Sequence, residues 1–459
     1  MVAKVWSRRF SQTLGWLSVA APHFKRLALA GGRAQFVGMK KWLLRISLGF
    51  LAVIGLLLAC IFLRSLTPAP VQNQELQLAR ATISPGANGY DLLAAATNNI
   101  WWPKDQEQAI GDLVKDTNWD DALAATVLAS NREALAGWDA AVKLPDFQVP
   151  EVSTMEDLLP YLASWKQLAQ LAMVRENFLL HRGQDQAAFD ELVKHIQLGR
   201  RMENSHGVLI VYLVGAAVNT MGLGQIQHWV GKTQLTPDQL KAYSLQLKTQ
   251  PGEAGEAFAN AIRVEHQVQM NTLAAMRAGR IKSEDLPHFG FWSVWPIFSY
   301  SQTEGLFARG ALMLVKAAPH HYSEANVAGM QARPDMVSIC LSGNPVGQIL
   351  FYMMMPALAG SLEKKSKGDV QLQAIRTILA LRAYQLTHGH LPPDLNALVP
   401  EFLEAVPVDD FDGQPLRYSA EKKIVYSVGK NLKDDGGDDQ ASPHDSSQRH
   451  LDLAFKFEF

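Results

Sequence analysis

The sequence predicts a mainly α-helical protein carried on a single N-terminal transmembrane helix and closed by a small α+β module with an antiparallel sheet. Three observations predict it. Ile46 to Leu63 is an unbroken apolar run, the long middle repeats apolar residues at steps of three and four, and the last nine residues alternate apolar and polar. The 459 residues allow two or three domains. An apolar share of 48% with 19% charged residues fits a folded chain with one membrane segment. A formal net charge of -1 supplies no global field for nucleic acid. Cys60 and Cys340 are far apart in sequence, so the fold is expected to rest on packing and not on a disulfide.

The apolar run has the length of a bilayer span, about 27 Å at a rise of about 1.5 Å per residue. Arg8, Arg9, Lys25, Arg26, Arg33, Lys40 and Lys41 precede it, which places the N-terminus in the cytoplasm and the bulk of the chain outside it. The expected organisation is residues 1–40 as a cytoplasmic tail or sequence upstream of a start at Met39, 41–64 as the anchor, and 65–87 as a linker with Pro68 and Pro70. A cleaved signal peptide and a lipoprotein acylated at Cys60 are the rival readings. The run's length and its continuation through Ile61, Phe62 and Leu63 favour a retained anchor.

Residues 88–366 are expected to form an antiparallel helical stack. Leu159, Leu162, Trp165, Leu168, Leu171, Val174 and Phe178 line one helix, and Phe189, Leu192, Val193 and Ile196 line the next, with Gly183 in the turn. The pair is weakly similar to a tetratricopeptide hairpin, without a strict repeat. Val208–Val230 reads as a buried central helix. Thr236-Pro237-Asp238-Gln239 opens another helix with a cap, a first-turn proline and an acid at the positive end of the dipole. Glu256–Met276 is the next. Phe289, Phe291, Trp292, Trp295, Phe298 and Tyr300 are expected to plug one end of the stack, and Met353 to Met355 to lie in the core.

Catalytic and cofactor motifs fail one by one. Gly231-Lys232-Thr233 lacks the leading glycine of a phosphate loop, since residue 226 is Ile. Glu265 and His266 are neighbours, which do not face each other on a helix. His320-His321 and His388-Gly389-His390 have no partners at zinc-ligand spacing. No nucleophile elbow is present. The expectation is a non-enzymatic protein with no catalytic residues.

Residues 369–459 read as a module. Leu372, Ile375, Ile378, Leu379 and Leu386 mark a helix over Gln371–Thr387, with His388 at its end and Gly389 as C-cap. Leu395–Val399 is a short helix, and Asp412-Gly413 is a turn before a strand at Leu416–Tyr418. Ile424–Val428 returns as the second strand. Leu451, Leu453, Phe455, Phe457 and Phe459 alternate with Asp452, Ala454, Lys456 and Glu458 as the last. Between these strands lies the loop Asp434, Asp435, Gly436, Gly437, Asp438, Asp439. Its four carboxylates repel one another unless a cation joins them. Calcium accepts such irregular oxygen sets, and a solvated acidic loop is the alternative.

Tyr384, Gly389, Pro392, Leu395, Leu398, Asp409, Asp412, Gly413, Tyr426, Ser427, Gly429 and the 434–439 loop resemble the globular domain of type II secretion major pseudopilins. The resemblance covers about a fifth of the chain. It implies a structural calcium ion held by Asp434, Asp435, Asp438 and Asp439, although Gln440–His450 extend the loop. It departs in that about 300 residues separate the anchor from the module, and Ile54 stands where a pseudopilin carries an acid. The architecture is similar to that of uncharacterised bacterial membrane-anchored proteins. The reading is a single-pass inner-membrane protein with its bulk in the periplasm: a scaffold or accessory protein with envelope protein partners, associated with type II secretion. A periplasmic hydrolase with an unrecognised site and an atypical pseudopilin are the alternatives.

Overall fold

The computed structural model describes residues 42, 44–56, 59, 63, 74–250, 252–281, 298–438 and 452–459, and every statement of absence below refers to these. The residues are mainly helical, with one small antiparallel sheet near the C-terminus. The first helix, α1 (Leu44–Leu56), exposes all its residues. Phe289, Phe291, Trp292 and Trp295, and the linker between Leu63 and Gln74, lie outside the described residues.

Helices α2 (Gly89–Thr97), α3 (Glu107–Lys115), α4 (Asp121–Ser130) and α5 (Arg132–Lys143) form a first layer. They pack through Leu93, Ile110, Leu113 and Trp138 onto Trp165 and Leu168 of α6 (Tyr161–His181). The α6 chain turns back at Gly183, whose φ of 68° suits a residue without a side chain, into α7 (Asp185–Glu203). This is the expected hairpin. Next comes α8 (Leu209–Trp229), long and apolar enough to cross a membrane by length and composition. It packs against α6, α7 and the later helices α10 and α14, as the core reading requires.

The closeness of α7 and α8 has a simple cause. A Cβ on Gly199 would lie 2.6 Å from the Asn219 nitrogen, and one on Gly215 would lie 2.5 Å from the Glu203 nitrogen. Beside this crossing is a buried polar layer. Asn177 donates from Nδ2 to the Leu113 carbonyl at 2.9 Å, and its Oδ1 accepts from Gln225 and from the Trp229 indole, each at 3.0 Å. The Asn177 amide is satisfied at both ends, which fixes the register of α6 against α8.

Helix α9 (Pro237–Gln246) begins with the expected capping box of Thr236 and Gln239. Helices α10 (Glu253–Arg277), α11 (Tyr300–Ala317), α12 (Val327–Gln331) and α13 (Met336–Cys340) follow. The last helix, α14, runs from Pro345 to His388, 44 residues. The sequence reading begins a helix only near Gln371 and places a domain boundary at 366–369. The chain has no break there, because Lys365–Asp369 and Glu363–Lys367 form i,i+4 ion pairs through it. Gly389, at φ 78°, ends the helix as expected. Of the three methionines expected in the core, Met355 is buried and Met353 is exposed.

The sheet has order β1 (Arg417–Ser419), β2 (Ile424–Ser427), β3 (Leu453–Lys456), antiparallel throughout. Its inner side chains Val425 and Phe457 share one apolar cluster with Phe189, Ile196, Leu223, Leu240 and the α14 residues Ile375, Ile378 and Leu379. Helical stack and sheet therefore close over a common core.

The α7–α8 crossing predicts opposite outcomes for two glycines of one helix. Gly215→Ala should lower stability by about 1–3 kcal/mol through overpacking. Gly224→Ala meets nothing within 4 Å and should raise stability by up to about 1 kcal/mol through helix propensity. Denaturant unfolding of the two variants checks the pair, and equal losses would refute the packing account.

Candidate functional site

The acidic loop sits between β2 and β3 as expected. Asp434 Oδ1 accepts from the Gly436 N–H at 2.9 Å and from the Tyr426 hydroxyl at 3.3 Å. Asp435 Oδ2 accepts from Asn431 at 2.9 Å. The Gly436 carbonyl, a candidate ligand, accepts from Lys422 Nζ at 2.5 Å. Asp438 is exposed, and Asp439 lies outside the described residues. The donors are all oxygen and mutually repelling, which is calcium chemistry. Among the described residues, however, no three His, Cys, Asp or Glu side chains converge as a metal-holding group.

Two acids organise this region instead. Asp452, expected on the polar side of its strand, is buried. Its carboxylate accepts from the Asp435 N–H at 3.0 and 3.2 Å and from the Gly437 N–H at 2.6 Å. Burial pushes its pKa up, the two N–H groups oppose this, and the charges of Asp435 and Asp434 push it further. Asp409 is fully buried and accepts from the Phe411 and Val428 amides, the Ser427 hydroxyl and Arg417 Nη1, at 2.8 to 3.0 Å. It ties the Asp412-Gly413 turn to β1 and β2 at once.

The second ionisable cluster is a cleft that sequence spacing does not reveal. It opens where α7, α8, α10 and α14 meet, lined by Arg200, Glu203, Tyr212, Asn219, Glu253 and Asp369, among others. Glu203 Oε1 accepts from Asn219 Nδ2 at 3.0 Å. The Asn219 Oδ1 and Arg200 Nε atoms are buried without a protein partner. Lys365 reaches Asp369 and Asp410 at 3.0 Å each, and so links the cleft to the turn that carries Asp409.

Burial pushes the Glu203 carboxyl up to about 7, against the Asn219 hydrogen bond and with the help of Asp369. Asp369 is also raised, first by burial and then by Asp410, while Lys365 opposes the shift. Burial works to lower Lys365, but Asp369 and Asp410 outweigh it and hold the ammonium charged. Two carboxyl groups that exchange protons near neutrality, beside a fixed cation, are able to bind a polar group or to move a proton.

The residues rejected at sequence level fall into place. Glu265 and His266 both line one small pocket with Gln269, Phe307 and Phe351, because the pocket spans the helix side between them. His320 pairs with Glu324 at 3.1 Å, and His321 lies 3.5 Å from Asp410. His388 stacks on Tyr384 at the end of α14. A further cluster joins three helix ends: Asp116 receives His181 at 2.6 Å and His228 at 2.9 Å. Comparisons with protein-family models, curated proteins and solved structures return no match to this chain.

Two outcomes follow. Asp409→Ala strands the Phe411 and Val428 amides and leaves Arg417 its pair with Asp412, so it should cost about 3 kcal/mol in denaturant unfolding; a loss below about 1 kcal/mol would show that the turn holds without it. For Glu203, a raised folded pKa means that its stabilising contribution is complete below the ordinary value of 4.5 and is lost as pH rises through about 7. Glu203→Gln should therefore gain roughly 2 kcal/mol on the wild type between pH 5 and pH 8. Parallel unfolding curves at both pH values would refute the shift.

Proposed function

We propose that this chain is a membrane-anchored envelope protein of the inner membrane, working as a scaffold or accessory component beside type II secretion. The observation that supports this best is α1: apart from Arg45 and Ser47 its residues are apolar, and all are exposed, including Leu48, Phe50, Leu51, Val53 and Leu56 at 55–70%. A helix with that surface is stable in lipid and not in water. The helical stack then faces the periplasm and offers its outer surfaces to envelope partners, while the small sheet module docks on α14. A calcium ion bound at Asp434, Asp435, Asp438 and Asp439 neutralises the loop and has a structural role.

The cleft favours a second reading, a periplasmic hydrolase. It unites Glu203 of α7, Glu253 of α10 and Asp369 of α14, acids that no sequence motif connects. In that reading Glu203, titrating near neutrality, is the general acid or base, and Lys365 fixes the charge of Asp369. A hydrolysis screen on the wild type uses the Glu203→Gln, Asp369→Asn double variant as blank. Activity equal in both does not come from this cleft.

Two measurements test the principal reading. The full chain should stay with the membrane fraction through an alkaline carbonate wash, and release by that wash would end the anchor assignment. In detergent, calcium at a hundredfold excess over Kd should stabilise the protein by about 2.7 kcal/mol. The gain should vanish with Asp435→Ala and Asp438→Ala together. Identical melting with calcium and with chelator would remove the ion from the account.

A further inference from the structure

An uncharged stretch is left half uncovered in the folded part. Residues 336–362 contain no Asp, Glu, Lys, Arg or His. They comprise α13 and the N-terminal half of α14. The most apolar window of α14 is 33% buried, against 50% for the central helix α8. Met336, Val337 and Met353 are 64, 66 and 59% exposed, and Leu341 and the free Cys340 are exposed beside them. Exposed large apolar side chains on an uncharged stretch point to an apolar partner.

The position of this face identifies the partner. The chain re-enters the fold at the short turn Gln74–Leu76, where Leu76 is buried in the same cluster as Met355, Ala359 and Leu362 of α14. Arg263 Nε donates to the Glu75 carbonyl at 3.0 Å and fixes that turn in place. Ten residues separate Leu63 from Gln74, a reach of at most about 35 Å. The side of the molecule that carries α13 and α14 is thus tethered close to the bilayer.

Most polar groups of the stretch are bonded within the protein. Ser338 Oγ donates to Asp335, Ser342 Oγ to the Ile339 carbonyl, and Ser361 Oγ to the Leu358 carbonyl. Asn344 donates to Thr303 and accepts from the Ser299 N–H. The half-buried Gln348 and Tyr352 side chains make no such bond; a bilayer's interfacial layer accepts the polar tip of a tyrosine, which its hydrocarbon core would not.

We propose that α13 and the N-terminal half of α14 form a second membrane contact, an apolar face that rests in the interfacial layer of the bilayer holding α1. The inference depends on the reading of α1 as an anchor. Met336, Val337, Leu341 and Met353 enter the acyl boundary, and the rest of α14 stays in the protein core. The contact is of the monotopic kind, a helix lying on the membrane and not across it.

The two cysteines of the chain separate the two claims. Cys60 belongs to the apolar N-terminal run and Cys340 to the new face, so Cys340→Ser and Cys60→Ser each leave one labelling site. The full chain carrying an environment-sensitive thiol probe is placed in vesicles of phosphatidylethanolamine and phosphatidylglycerol. Lipids with a nitroxide near the headgroup should lower the Cys340 probe fluorescence by roughly half or more, while aqueous iodide has little effect. Val337→Asp with Met353→Asp should restore it and leave the Cys60 signal unchanged. If Cys60 is quenched by lipid and Cys340 by iodide alone, the anchor stands and this inference falls. If Cys340 is shielded from both quenchers, a second protein copy covers the face and the inference falls as well. If Cys60 is not reached by lipid quenchers, the anchor reading itself fails.

Discussion

The structure depends on α14 remaining one unbroken helix. At about 1.5 Å per residue it is about 66 Å long, and it is shared by the helices from α8 onward and by the sheet. Its first half packs with α10 and α11, and its second half is the floor on which α8, α9 and the sheet meet. Lys365 stands near the middle, with Asp369 one turn on and Asp410 across from it on the β1 side. A break there would separate the sheet from the stack and open the common core to water. The burial of one lysine against two carboxylates is expensive, and it is tolerable because each charge has a partner at hydrogen-bond distance.

This arrangement explains why the ionisable cleft lies where it does. Three helices, α7, α8 and α10, converge on the middle of α14, and the cleft lies where they meet it. The glycines at 199 and 215 bring α7 against α8, and the space left between α7, α10 and α14 is filled by long polar side chains. Glu203 and Asp369 then share a region of low polarity, and their mutual repulsion adds to the cost of burial. A fold optimised for stability alone would place leucines there. The retention of acids beside an unpartnered Asn219 oxygen is what favours a working role for the cleft.

Much of the local architecture was legible because its causes are local. The capping box at Thr236, the left-handed Gly389 and the Asp412-Gly413 turn each depend on residues within a few positions of one another. The start of α14 was not legible: the periodic apolar positions stand out only from Gln371, and the helix runs on from Pro345 with Pro356 inside it. The cleft was invisible for a related reason: Glu203, Glu253 and Asp369 are far apart in sequence, and the burial that makes their acidity unusual is a property of four helices together. The acidic loop was conspicuous in sequence, whereas Asp452 and Asp409, which hold it and the adjacent turn, looked like ordinary polar positions in strand and turn.

The two ends of α14 express a division that follows from burial alone. Its C-terminal half has apolar residues on nearly all sides because the stack covers one side and the sheet another; Ile375, Ile378, Leu379 and Leu381 are fully buried. Its N-terminal half carries no charge over residues 345–362 and is less fully buried, with Met353 exposed. The sheet module ends before it can cover that half, and the described helices α12 and α13 are too short to do so. Under the proposal that the N-terminal helix is a membrane anchor, the lipid that would cover this side of α14 lies within reach of the ten residues between Leu63 and Gln74.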